Sequence, residues 1–308
     1  MSGVLAGFFI VWTLIAIGWI AGRTGILGPQ GRYVLNRATF FLASPALVLV
    51  GLLGSDPREV FSVPMAVAGI SGLLMGVLLW VGLRLFTKRR GTELTIAAIS
   101  GSVVNGANMG FPIAAYVLGD ISHALPVILF QQAVYTPLYL FVLHAQTQES
   151  RLGLAGVARS IGANPTIIAA AVGGVLAGAG VRLPEVVLEP FASLGDMAIP
   201  AMLLAYGLSL HGSRPLAKDD GYRGLIAISS IAKIVLMPLL ALGIGLLFGL
   251  SGHGLYEVVV MAALPTAQNV YVAAARYQAA ENLARDTVLI TTIGTVLALL
   301  AVSALLGV

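Results

Sequence analysis

Cysteine is missing from the sequence, and charged residues are few. Without cysteine the chain has neither disulfide bonds nor thiolate chemistry. The four histidines lack the spacing of metal ligands, so the sequence predicts no metal site, no cofactor and no metalloenzyme. Charged residues make up 10% of the chain and hydrophobic residues 58%, whereas about a quarter of the residues in an average soluble domain are charged. The composition therefore predicts an integral membrane protein.

Apolar runs of about 20 residues, the length that a helix needs to cross a bilayer, recur along the whole chain. We count ten of them, joined by short connections, and number them spans 1 to 10. The predicted fold class is an all-α, multi-pass membrane protein with ten transmembrane helices. The predicted spans are 4–22, 34–54, 64–87, 94–119, 121–145, 165–181, 191–211, 224–249, 255–278 and 285–307.

Basic residues are distributed unevenly among the connecting loops. The loops that follow odd-numbered spans contain eleven Lys and Arg residues, counting Arg285 at the boundary with span 10, whereas those that follow even-numbered spans contain two, Arg58 and Arg182. Lys and Arg in short loops are retained on the cytoplasmic side. The sequence therefore predicts a protein of the plasma (cytoplasmic) membrane with both termini outside. The net charge is +4, but the basic residues are distributed among the loops as topology markers and do not form one patch, so the sequence predicts no nucleic-acid partner.

Two pairs of prolines are separated by about half the length of the chain. Pro45 in SPALVLVGLL and Pro200 in IPAMLLAYGL lie 155 positions apart, and Pro112 and Pro265 lie 153 positions apart. Five spans in each half would make the halves antiparallel in the membrane. The spacing therefore predicts two inverted repeats of five helices, residues 1–150 and 151–308.

Spans 4 and 9 are predicted to be broken at matching positions of the two repeats. The stretches NGANMGFP (105–112) and LPTAQN (264–269) place proline and amide side chains in apolar surroundings. Proline frees backbone groups, and these are tolerated in a membrane only where protein, substrate or water satisfies them. Broken helices in inverted repeats indicate the substrate site of a transporter, and their N-termini favour an anion. The predicted site residues are Asn105, Asn108, Pro112, Pro265, Thr266, Gln268 and Asn269.

Simpler interpretations of these residues stay open. Proline and glycine merely kink many membrane helices, and asparagine joins helices by hydrogen bonds, an alternative that is strongest for Asn105.

Gln131 in span 5 is a further candidate for the site. Lys233 in span 8 either attracts the charge of the substrate, or takes part in coupling, or snorkels to the headgroups. Asp196 in span 7 either binds a coupling ion or, as we favour, pairs with Arg182 at the external surface.

Six stretches of the sequence, in this order and spacing, resemble the prokaryotic branch of the auxin efflux carrier family over nearly the whole chain. They are IGWIAGRTGIL (17–27), LNRATFFLASPALVL (35–49), NGANMGFP (105–112), NPTIIAAAVGGVLAGAGVRLP (164–184), AIPAMLLAYGLSL (198–210) and LPTAQNVYVAAARY (264–277). The resemblance implies a fold related to the bile acid/sodium symporters, in which spans 4 and 9 cross at their broken centres. It also implies a scaffold of spans 1, 2, 6 and 7, and a transport domain of spans 3–5 and 8–10 that moves like an elevator.

The family resemblance further implies secondary active transport of small organic acid anions, auxin-like compounds or mono- and dicarboxylates, with the substrate positions flanking Pro112 and Pro265. We expect a homodimer formed through the scaffold, with H+ or Na+ left open as the coupling ion. The alternatives are a sodium-coupled symporter of another organic solute and a channel, but the sequence has no recognisable filter motif. An intramembrane enzyme would need a nucleophile with its base, or a metal site, within the spans, and the sequence predicts neither.

Overall fold

The computed structural model describes residues 2–54, 63–147, 159, 162–181, 183–211 and 221–307. Within these ranges the chain is helical, and its extended pairing is limited to one antiparallel bridge between Val104 and Thr266. Six helices in these ranges are long and apolar enough to cross a membrane, and they coincide with predicted spans 2, 3, 5, 7, 8 and 10. The prediction of an all-helical, multi-pass membrane protein is confirmed. The predicted repeat boundary, at residues 150 and 151, lies outside the described ranges.

We number the helices in chain order and count a helix with a local 3-10 or π turn as one element. They are α1 (Ser2–Thr24), α2 (Gly31–Leu53), α3 (Val63–Phe86), α4 (Gly91–Ser102), α5 (106–118), α6 (Ile121–Thr147), α7 (Pro165–Gly178), α8 (Glu185–Leu210), α9 (Arg223–Leu247), α10 (Gly252–Ala262), α11 (Gln268–Arg276) and α12 (Glu281–Leu306). Predicted spans 1 and 6 correspond to α1 and to α7, which has 14 residues. Predicted span 4 is divided between α4 and α5, and predicted span 9 between α10 and α11.

Wider π-helical turns precede four of the prolines inside the helices, and each turn ends two residues before its proline. The turns are Thr39–Ala43 before Pro45, Gly106–Gly110 before Pro112, Gln131–Tyr135 before Pro137 and Ala232–Leu236 before Pro238. Proline has no N–H, and its ring clashes with the carbonyl group four residues earlier. A turn with bonds between residues five apart accommodates that clash, so the helix continues past the proline. Pro112 therefore lies inside α5, and the expectation that it breaks span 4 is wrong.

One compact unit of the chain consists of three segments, Met1–Ser62, Ala107–Gln132 and Ser160–Ser213. In this unit α1 packs along the second half of α8, and α2 packs against α7 and the first half of α8. A Cβ atom added at Gly18 would strike the carbonyl oxygen of Leu204, and one added at Gly207 would strike that of Ile15. The two glycines therefore allow the close approach of α1 and α8, as small residues do at many membrane helix contacts.

A second compact unit consists of Val63–Gly106, Ala133–Arg159 and Arg214–Val308. Here α9 packs against α3, α4, α10 and α12, and α12 also contacts α4, α10 and α11. Side-chain hydrogen bonds join these helices. The Ser229 hydroxyl donates to the carbonyl oxygen of Ala97 over 2.9 Å, and the hydroxyls of Ser102 and Tyr135 lie 2.6 Å apart. Such bonds add to the packing of helices in an apolar environment.

Candidate functional site

Two breaks in the helical structure lie together within the second unit. The first interruption, residues 103–105, follows α4, which ends at Ser102. The second interruption, residues 263–267, follows α10, which ends at Ala262, and precedes α11, which begins at Gln268. The second interruption contains Pro265, as the sequence predicts, whereas the first lies several residues before Pro112.

Backbone hydrogen bonds join the two interruptions to each other. Val104 and Thr266 form the antiparallel bridge. The Asn105 N–H donates to the carbonyl oxygen of Pro265 over 2.7 Å, and the Ala267 N–H donates to that of Val103 over 3.1 Å. Irregular backbone in a membrane needs partners inside the protein, since lipid provides none. Each interruption therefore satisfies backbone groups that the other leaves without a helical partner.

Thr266 is fully buried and is fixed by two hydrogen bonds in addition to the bridge. Its N–H donates to the hydroxyl oxygen of Thr291 on α12 over 3.0 Å, and its own hydroxyl donates to the carbonyl oxygen of Ser100 on α4 over 2.5 Å. One residue of the second interruption is thus tied to two helices. Its side chain, predicted to face the substrate, has its hydroxyl proton committed to the protein.

Lys233 is fully buried at the π turn of α9, and its Nζ atom donates to the carbonyl oxygen of Ala262 over 2.9 Å. Ala262 is the last residue of α10, where carbonyl groups lack helical partners and the helix dipole favours a positive charge. The amino group of Lys233 therefore lies inside the unit and caps α10 instead of reaching the headgroups. The snorkelling alternative for Lys233 is wrong.

Asn105 carries a buried donor that the described part of the chain leaves unsatisfied. Its side chain is 1% exposed, and its Nδ2 atom has no hydrogen-bond partner among the described residues. Ser100, five residues earlier on α4, has a buried hydroxyl in the same condition. Leaving a buried donor unpaired costs about 1–3 kcal/mol. These two groups can therefore be satisfied by water or by a bound ligand, and both can donate to an oxygen atom of an anion.

The remaining predicted site residues differ in burial and in the unit to which they belong. Pro265 is buried, Gln268 is half-buried at the start of α11, and Asn269 is exposed. Three others, Asn108, Pro112 and Gln131, belong to the first unit, and of these Pro112 and Gln131 are buried. Asp196 is exposed at the centre of α8, and its predicted partner Arg182 lies outside the described residues.

Thr291 and Thr295 contact the second interruption but are absent from the sequence-based site. The Thr295 hydroxyl donates to the carbonyl oxygen of Ala263 over 3.2 Å, and Thr291 accepts from Thr266. A faint signal was present, because Thr287, Thr291 and Thr295 recur at a spacing of four residues and so share one face of a helix. Among the described residues, no group of three or more His, Asp or Glu side chains is placed to hold a metal ion.

Comparison with known proteins identifies the family. Residues 4–155 and 150–303 match the family described as "Membrane transport protein", which is that of the auxin efflux carriers. The chain belongs to this family. The resemblance noted in the sequence is therefore confirmed, and this membrane transport protein has relatives in prokaryotes.

Three relatives of this membrane transport protein align along most of their length. One from Rhizobium meliloti, named "Putative malonate transporter", is 27% identical over 306 residues, covering 95% of this chain and 92% of the relative. An "Uncharacterized transporter" of Methanothermobacter thermautotrophicus is 26% identical, covering 83% of each chain. The "Uncharacterized transporter YfdV" of Escherichia coli K12 is 23% identical, covering 92% of this chain and 91% of the relative.

Proposed function

We propose that the protein is a secondary active transporter of small organic acid anions. The observation that carries the substrate class is the unpaired, buried amide donor of Asn105, the last residue of the first interruption. Hydrogen bonds from protein donors to a carboxylate are stronger than those to a neutral group, so an anion offsets the cost of that donor best. The start of α11, at Gln268, adds the partial positive charge of a helix N-terminus.

Short carboxylates are the proposed substrates, mono- or dicarboxylates or auxin-like acids. Membership in a membrane transport family supports the transport of a small solute across a lipid bilayer. A relative that is 27% identical carries a name that refers to malonate, a dicarboxylate. Malonate is therefore the first compound to test.

The proposed architecture has ten spans in two inverted repeats, with spans 4 and 9 crossing where they are broken. Two features support it. The interruptions that divide these spans are paired in antiparallel orientation, and the two stretches matched by the family, 4–155 and 150–303, meet near the proposed repeat boundary. We also propose a plasma-membrane location with both termini outside, coupling to H+ or Na+, and a homodimer formed through the scaffold.

An elevator-type movement of one domain past a scaffold is the proposed mechanism. Its support is the grouping of the predicted scaffold spans 1, 2, 6 and 7 in the first compact unit, whereas spans 3, 8, 9 and 10 belong to the second. Residues 107–132 depart from this scheme, because the family resemblance assigns them to the moving domain and their contacts group them with the first unit.

Malonate binding to the purified protein, measured by calorimetry, tests the proposal, and malonate uptake by proteoliposomes distinguishes transport from binding alone. Asn105→Leu removes the unpaired donor. A hydrogen bond to a charged group is worth about 1.5–3 kcal/mol, so binding is expected to weaken about ten- to a hundredfold. Asn282→Leu, in the first turn of α12, is the matched control and should bind like wild type.

The proposal would be refuted if neither malonate nor a panel of other short mono- and dicarboxylates bound the wild-type protein. Unchanged malonate affinity in Asn105→Leu would refute the assignment of this side chain to the site. In that case the amide of Asn105 would be a contact between helices, as the simpler interpretation of the sequence holds.

A further inference from the structure

One face of α12 carries a row of buried threonines opposite the second interruption. Thr287, Thr291 and Thr295 are spaced four residues apart, and none is more than 2% exposed. Residues at this spacing lie above one another on a helix, so the three hydroxyls form a line along α12. The helix is continuous from Glu281 to Leu306 and so offers an uninterrupted helical face beside a segment that is not helical.

Two of these hydroxyls bond to the backbone of the second interruption. Thr291 Oγ1 accepts the N–H of Thr266 over 3.0 Å, and Thr295 Oγ1 donates to the carbonyl oxygen of Ala263 over 3.2 Å. Ala263 is the first residue of the interruption and Thr266 the fourth. The two bonds therefore hold the segment on both sides of Pro265.

The Thr291 hydroxyl makes one bond as an acceptor and one as a donor. Its oxygen accepts the backbone N–H of Thr266, and its own proton is donated to the carbonyl oxygen of Thr287 over 2.7 Å. Neighbouring Thr292 shows the ordinary behaviour of a threonine in a helix, because its hydroxyl donates to Val288 four residues earlier. Thr291 makes that bond and an additional one across to another segment.

We propose that Thr291 and Thr295 are positioning residues that clasp the second interruption and set the direction in which α11 begins. The clasp acts through the backbone of residues 263–266. Held in this way, the interruption keeps its bonds to Val103 and Asn105, and the Asn105 amide stays aimed at the bound anion. The effect of the clasp on substrate affinity rests on the proposed function, whereas its effect on the backbone does not.

Thr291→Val is the decisive variant, because valine has nearly the shape of threonine and lacks the hydroxyl. Thr291→Ser keeps the hydroxyl, and Thr292→Val is the matched control, since it removes a hydroxyl that is bonded within α12. Two quantities are measured on each full-length, purified protein: the rate of amide hydrogen exchange in peptides that cover residues 263–268, and the dissociation constant for malonate.

Thr291→Val is expected to accelerate exchange in residues 263–268 and to weaken malonate binding about fivefold to tenfold, the effect of losing one hydrogen bond. The dissociation constant of Thr291→Ser for malonate should stay within about threefold of the wild-type value. Thr292→Val should match wild type in both measurements. Thr295→Val, which frees the Ala263 carbonyl group, should act in the same direction as Thr291→Val. It decides the question if Thr291→Val does not fold.

Unchanged exchange in Thr291→Val and Thr295→Val would overturn the clasp. Faster exchange with unchanged malonate affinity would overturn its positioning role. If the wild-type protein bound no organic anion, the proposed function would fail, but the exchange rates would still decide whether the clasp exists. The two failures are therefore distinguishable.

Discussion

A buried lysine at the end of a broken helix can act through a charge or through its hydrogen bond. Lys233 caps the carbonyl group of Ala262, and two substitutions separate the two roles. Lys233→Gln keeps a donor and removes the charge, whereas Lys233→Met removes both. If the charge attracts the substrate, Lys233→Gln is expected to weaken malonate binding about tenfold with a small change in thermal stability, since a bond to a charged group is worth about 1.5–3 kcal/mol.

Lys233→Met is expected to lower the free energy of unfolding by about 1–3 kcal/mol, because the Ala262 carbonyl group is then buried without its donor. Thermal denaturation in detergent measures this loss, and Lys233→Arg, which keeps charge and donor, is the control. Equal malonate affinity in wild type and Lys233→Gln would show that the charge serves α10 alone.

Single polar residues in apolar surroundings could be recognised from the sequence, and Asn105 and Lys233 were found in this way. Thr291 and Thr295 were not. Threonine hydroxyls in membrane helices commonly bond to their own backbone, and nothing in the sequence distinguishes Thr291 from Thr292, whose hydroxyl donates to Val288 within α12. The difference depends on which residue faces the second interruption, and this is a property of the packed structure.

At the scale of the element, the two prolines that looked alike in the sequence have different positions. Pro265 lies in the second interruption, and Pro112 lies inside α5 after a π turn. Pro265→Ala restores an N–H and allows α10 to extend, which would withdraw the Pro265 carbonyl oxygen from Asn105. We expect Pro265→Ala to weaken malonate binding at least tenfold, whereas the malonate affinity of Pro112→Ala should stay within about threefold of the wild-type value.

Calorimetric titration of malonate into the two purified variants compares these effects directly, with circular dichroism as a check on helix content. Loss of binding in Pro112→Ala alone would contradict the placement of the break at residues 103–105. Similar losses in the two variants would agree with the sequence-based interpretation, in which both prolines break a span, whereas a loss confined to Pro265→Ala would agree with the structure.

Proline marks a helix break reliably only where no neighbouring π turn accommodates the clash of its ring with the preceding turn. The sequence located the second interruption through Pro265, but it misplaced the first, which contains Val103 and Val104 and no proline. These residues are extended because Val104 pairs with Thr266 in a distant part of the chain. A pairing between remote segments leaves no local sequence signal, so the first interruption could not be read from residues 103–105 alone.

For the whole molecule, the distribution of basic residues gives a topology that can be tested. Eleven Lys and Arg residues in odd-numbered loops against two in even-numbered loops predict that both termini lie outside. A reporter that is active only in the cytoplasm, fused after Val308, is expected to stay silent, while the same reporter inserted after Arg89 should be active. Strong activity of the C-terminal fusion would contradict the ten-span topology.

Composition and hydropathy were enough to predict the helical membrane class and the positions of the six long helices. The grouping of residues 107–132 with the first unit was not predictable, because it depends on contacts between segments distant in sequence. Hydropathy reports that a segment is apolar, but it does not report which apolar neighbour the segment contacts.

The π turns change the angular phase of the helices that contain them. Each inserts about one residue, which rotates all later side chains by about 100° relative to a regular helix. In α9, the buried residues Ser229 and Ser230 precede the π turn, and the buried residues Met237 and Pro238 follow it. The two pairs are eight positions apart, whereas two turns of a regular α-helix take about seven residues. A lipid-accessibility scan of α9 should therefore show one helical periodicity whose phase shifts at Ala232–Leu236, and a single helical wheel would misplace the positions on one side of this turn.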